Sequence, residues 1–161
     1  MIEIDKIRYP ELERIANLKP NPEILLGQEI FFQVKRDGSC LGICLNDEDN
    51  IHLRSRNLAN ASDMFYSGFN QTSHVDAIRD MILNERDYGD EIVVFGEMLM
   101  KGRSPTRIEM HEDFDYVVFD IWSTKQNRFL HYNKVYQTCY HYDIPVVDLY
   151  GTCNVSTIES L

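Results

Sequence analysis

The chain has 161 residues, 43% apolar and 26% charged, with 26 Asp and Glu against 16 Lys and Arg and a net charge of −10. That length supports one domain with its own hydrophobic core; no apolar run approaches the ~20 residues of a membrane span, and the N-terminal MIEIDKIRYPELERI lacks a basic-then-apolar leader, so an intracellular protein is expected. The acidic balance argues against holding nucleic acid by bulk charge but leaves room for a local basic patch. Cys40, Cys44, Cys139 and Cys153 form no CxxC pair, which points to reduced thiols rather than a zinc site or a disulfide framework.

A helix is predicted over 10–18, where Pro10 suits the first turn and Leu12, Ile15 and Leu18 fall near one face; Lys19, Pro20, Asn21 and Pro22 then stop it. Strands are predicted at 28–35, 39–45 and 51–55, with the polar run Asn46, Asp47, Glu48, Asp49, Asn50 as a hairpin turn leading from the lysine strand to the arginine segment. Ser73 has the form of an N-cap with Asp76 three residues on, and Val75, Ile78 and Ile82 supply an apolar face until Tyr88 and Gly89 end the helix. Strands follow at 91–98 and 115–122, joined by a basic segment from Lys101 through Arg103 to Arg107 that reads as a solvated loop. Further on are a strand at 128–131, a helix at 133–142 and a strand at 144–149. Tyr140, His141 and Tyr142 read as helix surface and core. Ser156 to Glu159 has the Ser-x-x-Glu form of a capping box, yet the chain stops two residues later, too soon for a stable helix; it is expected to be cut within its domain. Strands paired through hairpins with helices packed outside predict an α+β domain of antiparallel sheets with flanking helices, covering 1–161.

The chemistry centres on Lys35, Arg36, Asp37 and Gly38 at the end of the apolar run Ile30, Phe31, Phe32, Gln33, Val34. A lysine titrates near ~10.4, so only about one in a thousand carries a free amine at neutral pH. Burial and cations lower that value whereas Asp37 alone would raise it, so a nucleophilic Lys35 calls for a metal ion or arginines. Strand alternation places Asp37 on the face of Lys35, and Gly38 permits a tight backbone. Arg54 and Arg56 follow in Leu53, Arg54, Ser55, Arg56, Asn57, and Arg54 reads as ordinary surface. Glu97 ends the run Ile92, Val93, Val94, Phe95, Gly96, where an unpaired carboxylate is costly to bury and asks for a ligand, cation or metal. Phe119 sits on an apolar strand, with Asp120 expected on the opposite face. No histidine has a spacing that compels a metal or base role.

The order of these four segments resembles the covalent nucleotidyltransferase superfamily, which holds the ATP-dependent RNA and DNA ligases and the mRNA capping enzymes. Within it the chain is most similar to the RNA ligases that seal nicks in duplex RNA, including phage and editing enzymes. The likeness runs from about Glu29 to Gly151. It implies part of a nucleotidyltransferase (adenylation) domain in which Lys35 attacks the α-phosphorus of ATP to form lysine-AMP, and AMP then passes to an RNA 5′-phosphate before joining to a 3′-hydroxyl. By the same resemblance Asp37 and Glu97 serve Mg²⁺ (or Mn²⁺), Arg56 the AMP ribose or phosphate, Glu97 the ribose hydroxyl and Phe119 the adenine. By that resemblance Val34 and Gln33 present backbone or amide groups to the adenine edge, where related ligases commonly carry a glutamate, and Gly38 lets the backbone pass close to the nucleotide. Two further motifs of the superfamily, a glutamate-glycine strand and a Lys-x-Lys strand, are not found, which implies little or no sealing activity. A DNA ligase, a GTP-using capping guanylyltransferase and a non-catalytic ATP-binding module remain as alternatives.

Overall fold

A computed structural model describes residues 7–11, 22–55, 60–103 and 110–156. In chain order the strands are β1 (Glu29–Gln33), β2 (Ser39–Leu45), β3 (Ile51–Ser55), β4 (Ile92–Met100), β5 (Phe114–Ser123), β6 (Arg128–Phe129) and β7 (Leu149–Asn154), and the helices are α1 (Asp63–Phe69), α2 (Val75–Asp87) and α3 (Tyr132–His141). They divide between two compact units, residues 1–9 with 36–147 and residues 10–35 with 148–161. The predicted α+β class with antiparallel sheets and outer helices is the observed one.

The larger unit is built on a five-stranded antiparallel sheet in the order β3-β2-β4-β5-β6. Alternation along the strands sends Leu41, Ile43, Leu53, Ile92, Val94, Met98, Tyr116 and Val118 to one face, where they form a core with Ile78, Met81 and Ile82 of α2 and Val135 and Cys139 of α3. The β2–β3 hairpin turns where predicted, with Asn46 Oδ1 accepting the Glu48 and Asn50 N–H groups at 3.0 and 2.8 Å. Helix α2 ends at Tyr88 and Gly89, and Gly89 has φ +76°, the left-handed conformation a helix terminus reserves for glycine. Its start differs from prediction: His74, not Ser73, is the N-cap, and no side chain caps it. Helix α1 was not predicted, because seven residues containing Gly68 and three aromatics carry little helical signal. Packing makes it: a Cβ on Gly68 would lie 2.8 Å from Phe114 and 2.9 Å from Met98.

In the smaller unit β1 and β7 pair antiparallel from Glu29 opposite Asn154 to Gln33 opposite Leu149. The register slips between Phe32 and Gln33, leaving Tyr150 as the extra residue of a bulge. A 3-10 turn at Pro22–Leu25 precedes β1, and the Gly27 N–H donates to the Val155 carbonyl at 2.9 Å. Three expectations are corrected. The lysine strand stops at Gln33 instead of residue 35 and pairs with β7, so the Asn46–Asn50 turn joins β2 to β3 and not the lysine strand to anything. The strand expected at 144–149 is a single parallel bridge from Val146 to Val118, and β7 begins only at Leu149. The predicted helix at 10–18 and the capping box at 156–159 lie largely outside the described residues. All four cysteines are free, and among the described residues no helix is long and apolar enough to cross a membrane.

Candidate functional site

Lys35 follows β1 in the smaller unit and is exposed. Val34 just before it donates its N–H to the Asp148 carbonyl at 2.9 Å, so any contact of Val34 with a base is through its carbonyl or side chain. Arg36, one peptide bond on, begins the main part of the larger unit. Residues 34–37 belong to no strand, because β1 and β2 lie in different sheets. The alternation expected to put Asp37 on the face of Lys35 therefore does not operate across this link.

Asp37 and Gly38 lead into β2, which runs beside β4 with Cys40 opposite Glu97. The Gly38 N–H donates to Glu97 Oε1 at 2.8 Å. That contact requires glycine: a Cβ at position 38 would stand 2.3 Å from the Met98 carbonyl oxygen and 2.9 Å from Leu99 Cδ2. Backbone cannot yield as a side-chain tip can, so the turn glycine of the lysine motif is needed to lay the loop against β4. Glu97 does not end its strand as expected, since β4 runs on to Met100, and its carboxylate has one oxygen committed to the loop that follows Lys35. Gly96, the neighbour of Glu97, faces the core, where its missing Cβ would lie 2.4 Å from Tyr116 Cζ. The Tyr116 ring fills that space with its hydroxyl 3.0 and 3.2 Å from the Leu41 and Val94 carbonyls.

Beyond Gly96 the pairing of β4 with β5 slips. Phe95 is opposite Asp120 and Gly96 opposite Val118, so Phe119 is the inserted residue of a β-bulge. The bulge corrects the expectation that Asp120 faces away from Phe119. Tyr9 meets both: its ring is edge-on to Phe119 at 4.8 Å, and its hydroxyl donates to Asp120 Oδ2 at 3.4 Å. The same ring packs on Phe95 and Phe129, each at 5.3 Å. Burial pushes the Asp120 carboxyl up to about 7, against the pull of the Ile121 N–H at 3.0 Å and the Tyr9 hydroxyl. Burial, with the Asp120 charge behind it, raises the Tyr9 hydroxyl, so the proton stays on tyrosine. Sequence reasoning missed Tyr9 and misplaced Asp120, since no local pattern announces a partner more than a hundred residues away. The one available signal is Gly96, a glycine inside an apolar strand, which often marks a bulge.

Arg54 is also corrected. Expected at the surface, it is 1% exposed. On β3 it pairs with Gly42, and a Cβ on Gly42 would meet Phe95 at 2.8 Å and the Arg54 stem at 2.9 Å. Glycine thus makes room for an arginine stem beside the aromatic cluster, and the guanidinium donates to the Ile7 carbonyl. Arg56, the arginine singled out for the nucleotide, lies outside the described residues, as does the basic loop from residue 104 onward. At the other end of β5, Asp115 is held below its ordinary range chiefly by a hydrogen bond from His74, 3.4 Å away, with the charge of Arg36 adding to it.

The structure therefore joins Gly38 to Glu97, and Phe119 and Asp120 to Tyr9, both within the larger unit, with Asp37 preceding Gly38. Among the described residues no three His, Cys, Asp or Glu side chains converge into a metal cage. A divalent ion held by Asp37 or Glu97 would keep most of its waters, which suits Mg²⁺ and its reluctance to dehydrate.

Solved structures share this fold. An RNA ligase of Naegleria gruberi, solved with PPi, superposes with a TM-score of 0.72 at 18% identity, covering 97% of this chain and 46% of that one. A variant of the same ligase with ATP and Mn gives 0.70 at 18%, again covering 97% of this chain and 45% of that one. An archaeal ATP-dependent RNA ligase gives 0.64 at 17%, covering 91% and 37%. The chain thus spans less than half the length of these structures. No curated protein sequence matches it. The sequence model of one family, RNA ligase, matches residues 28–161, a stretch that takes in Lys35, Glu97 and Phe119 and most of both units, and on that match the chain belongs to the RNA ligase family.

Proposed function

We propose that this chain carries the nucleotidyl-accepting site of an ATP-dependent RNA ligase. The observation that carries the reading is the family match over residues 28–161, which contains every segment singled out for chemistry. In this reading the Lys35 ammonium first loses a proton. Its Nζ then attacks the α-phosphorus of ATP, a P–N bond forms, and the bond from that phosphorus to the bridging oxygen breaks to release pyrophosphate. A 5′-phosphate oxygen of an RNA end next attacks the same phosphorus, breaking the P–N bond and forming a pyrophosphate link to AMP. A 3′-hydroxyl, losing its proton to water, then attacks the RNA 5′-phosphorus, and that link breaks to release AMP as the strands join. Phe119 offers an aromatic surface to the adenine, held by the edge of Tyr9. Glu97, held by the Gly38 N–H, accepts from a ribose hydroxyl or from water on a metal. Asp37 and Glu97 are the residues that would hold Mg²⁺ or Mn²⁺, which when bound neutralises charge on the phosphates. The use of a nucleotide and a divalent metal is supported by two of the matched ligase structures, one with PPi and one with ATP and Mn.

The test is incubation with α-labelled ATP or GTP and Mg²⁺, followed by denaturing electrophoresis. An acid-labile adduct formed from ATP and lost in Lys35→Ala supports the ligase reading, and its amount is expected to be small, since the Lys-x-Lys strand that would orient the triphosphate is not found in this sequence. An adduct from GTP alone would make the chain a capping-type guanylyltransferase, and ATP binding with no adduct from either nucleotide would reduce it to a binding module.

A further inference from the structure

In a chain with 26 acidic residues, positions 121–142 contain no Asp or Glu but do contain Lys125, Arg128 and Lys134. Among the described residues no carboxylate forms an ion pair with any of these three. The Asp90 carboxylate does accept from the Ser123 hydroxyl and the Lys125 backbone N–H, and the Lys125 and Arg128 side chains donate to the Tyr88 carbonyl and Gln126 Oε1, which leaves Lys134 as the cation of interest. This stretch ends in α3, whose Val135, Thr138 and Cys139 are buried. Its outward face is Asn133, Lys134, Tyr136, Gln137, Tyr140 and His141, with Tyr136 49% and Tyr140 74% exposed. Their rings lie 6.0 Å apart and within 16° of parallel, and Tyr132 continues the row at 6.3 Å. A four-residue step along a helix advances about 6 Å, so the helix itself sets the ladder's spacing. The acids of α2 are elsewhere: Asp80 and Glu85 act on Tyr142, two residues past Tyr140 and so on the far side of the helix. The nearest carboxylate in sequence is Asp143, just past the C-cap.

Single exposed aromatics are ordinary on a protein surface, but a row of them is not. A row flanked by amides and a lysine, on a helix without acidic residues in an acidic protein, has the composition that recognises unpaired nucleotides. Bases stack on tyrosine rings, amides bond base edges and the lysine meets phosphate. Bases inside a duplex are already stacked on each other and offer no faces. We infer that the outward face of α3 binds a single-stranded segment of RNA, with bases on Tyr136 and Tyr140 and phosphate near Lys134. The inference rests on the RNA ligase reading for the identity of the nucleic acid, and the two are separable by experiment.

The probe is a fluorescent oligouridylate of about ten nucleotides, within the range such surfaces cover, titrated with the 161-residue chain and read by anisotropy. Tyr136→Ala with Tyr140→Ala is expected to weaken binding at least about tenfold, whereas Phe at both positions, which keeps the stacking surface, stays within about twofold. Lys134→Glu, a surface change that leaves the rings in place, weakens it about fivefold. With Lys134 as the cation of this face, log K falls with log salt at a slope no steeper than about −1. Adenylation by labelled ATP is followed in parallel and is expected to be unchanged in all these variants. Three results overturn the inference: no binding by the unaltered chain, binding unaffected by the alanine pair, or loss of labelling together with binding in that pair. Self-association of the chain that the alanine pair abolishes would assign the face to a second copy and overturn it too. Ladder-dependent RNA binding without any lysine adduct would leave this surface standing and sink the adenylation reading.

Discussion

Asp120 makes the stability of this protein depend on pH in a direction opposite to that of most carboxylates. Its carboxyl goes from an ordinary value of 3.8 to about 7 in the fold, mainly through burial. Between those values the folded state holds a proton that the unfolded state has released. Stability from this group is therefore complete below about pH 4 and falls as pH rises through about 7. Each pH unit of that window is worth about 1.36 kcal/mol, so the full effect is up to about 4 kcal/mol and realistically about 2 to 4. Urea unfolding across about pH 4 to 8 measures it, with Asp120→Asn as the reference that removes the titration while keeping the shape. The difference between the unaltered chain and Asp120→Asn should shrink, vanish or reverse toward the acid end and shift against the unaltered chain toward pH 8. Tyr9→Phe refines the test, because the Tyr9 hydroxyl favours the ionised carboxylate that accepts from it. Its loss should cost about 1 kcal/mol near pH 8, a modest value suited to a bond of 3.4 Å, and at most about half that near pH 5. A pH profile of Asp120→Asn that parallels the unaltered chain, or an equal cost of Tyr9→Phe at both pH values, would refute this account of the cluster.

Two glycines make further predictions. Gly96→Ala drives a Cβ into the Tyr116 ring, 2.4 Å from Cζ, and overpacking of a rigid aromatic should cost about 1 to 3 kcal/mol in urea unfolding; an unchanged midpoint would mean Tyr116 can move. Gly38→Ala meets the Met98 carbonyl at 2.3 Å and displaces the N–H that holds Glu97. It should lower stability by about 2 kcal/mol and also weaken ATP binding at least several-fold in calorimetry, whereas a loss of stability with ATP affinity intact would separate Gly38 from the site.

The elements with strong local signals were legible in the sequence. The polar run at 46–50 could only turn, and Asn46 does bind the amides inside it. The apolar periodicity of 75–82 followed by Tyr88 and Gly89 defined α2 and its end. What failed depended on partners distant in the chain. Residues 30–34 read as one strand continuing through Lys35, yet β1 pairs with β7, more than a hundred residues on, and the chain leaves that sheet before the lysine. Arg54 has a surface residue's chemistry, and only the space above Gly42 buries it.

The sequence by itself determined the α+β class, the family and the ordered segments that carry Lys35, Glu97 and Phe119, because hydrophobic period, turn residues and motif order are local properties of the chain. Tertiary structure alone decided that Asp120 turns to the same Tyr9 as Phe119, that Glu97 is held by Gly38, and that the tyrosines of α3 stand in an exposed row. A bulge shifts register by one residue and reverses every side chain beyond it, and that shift is set by strands pairing across the sheet rather than by any residue's own preference.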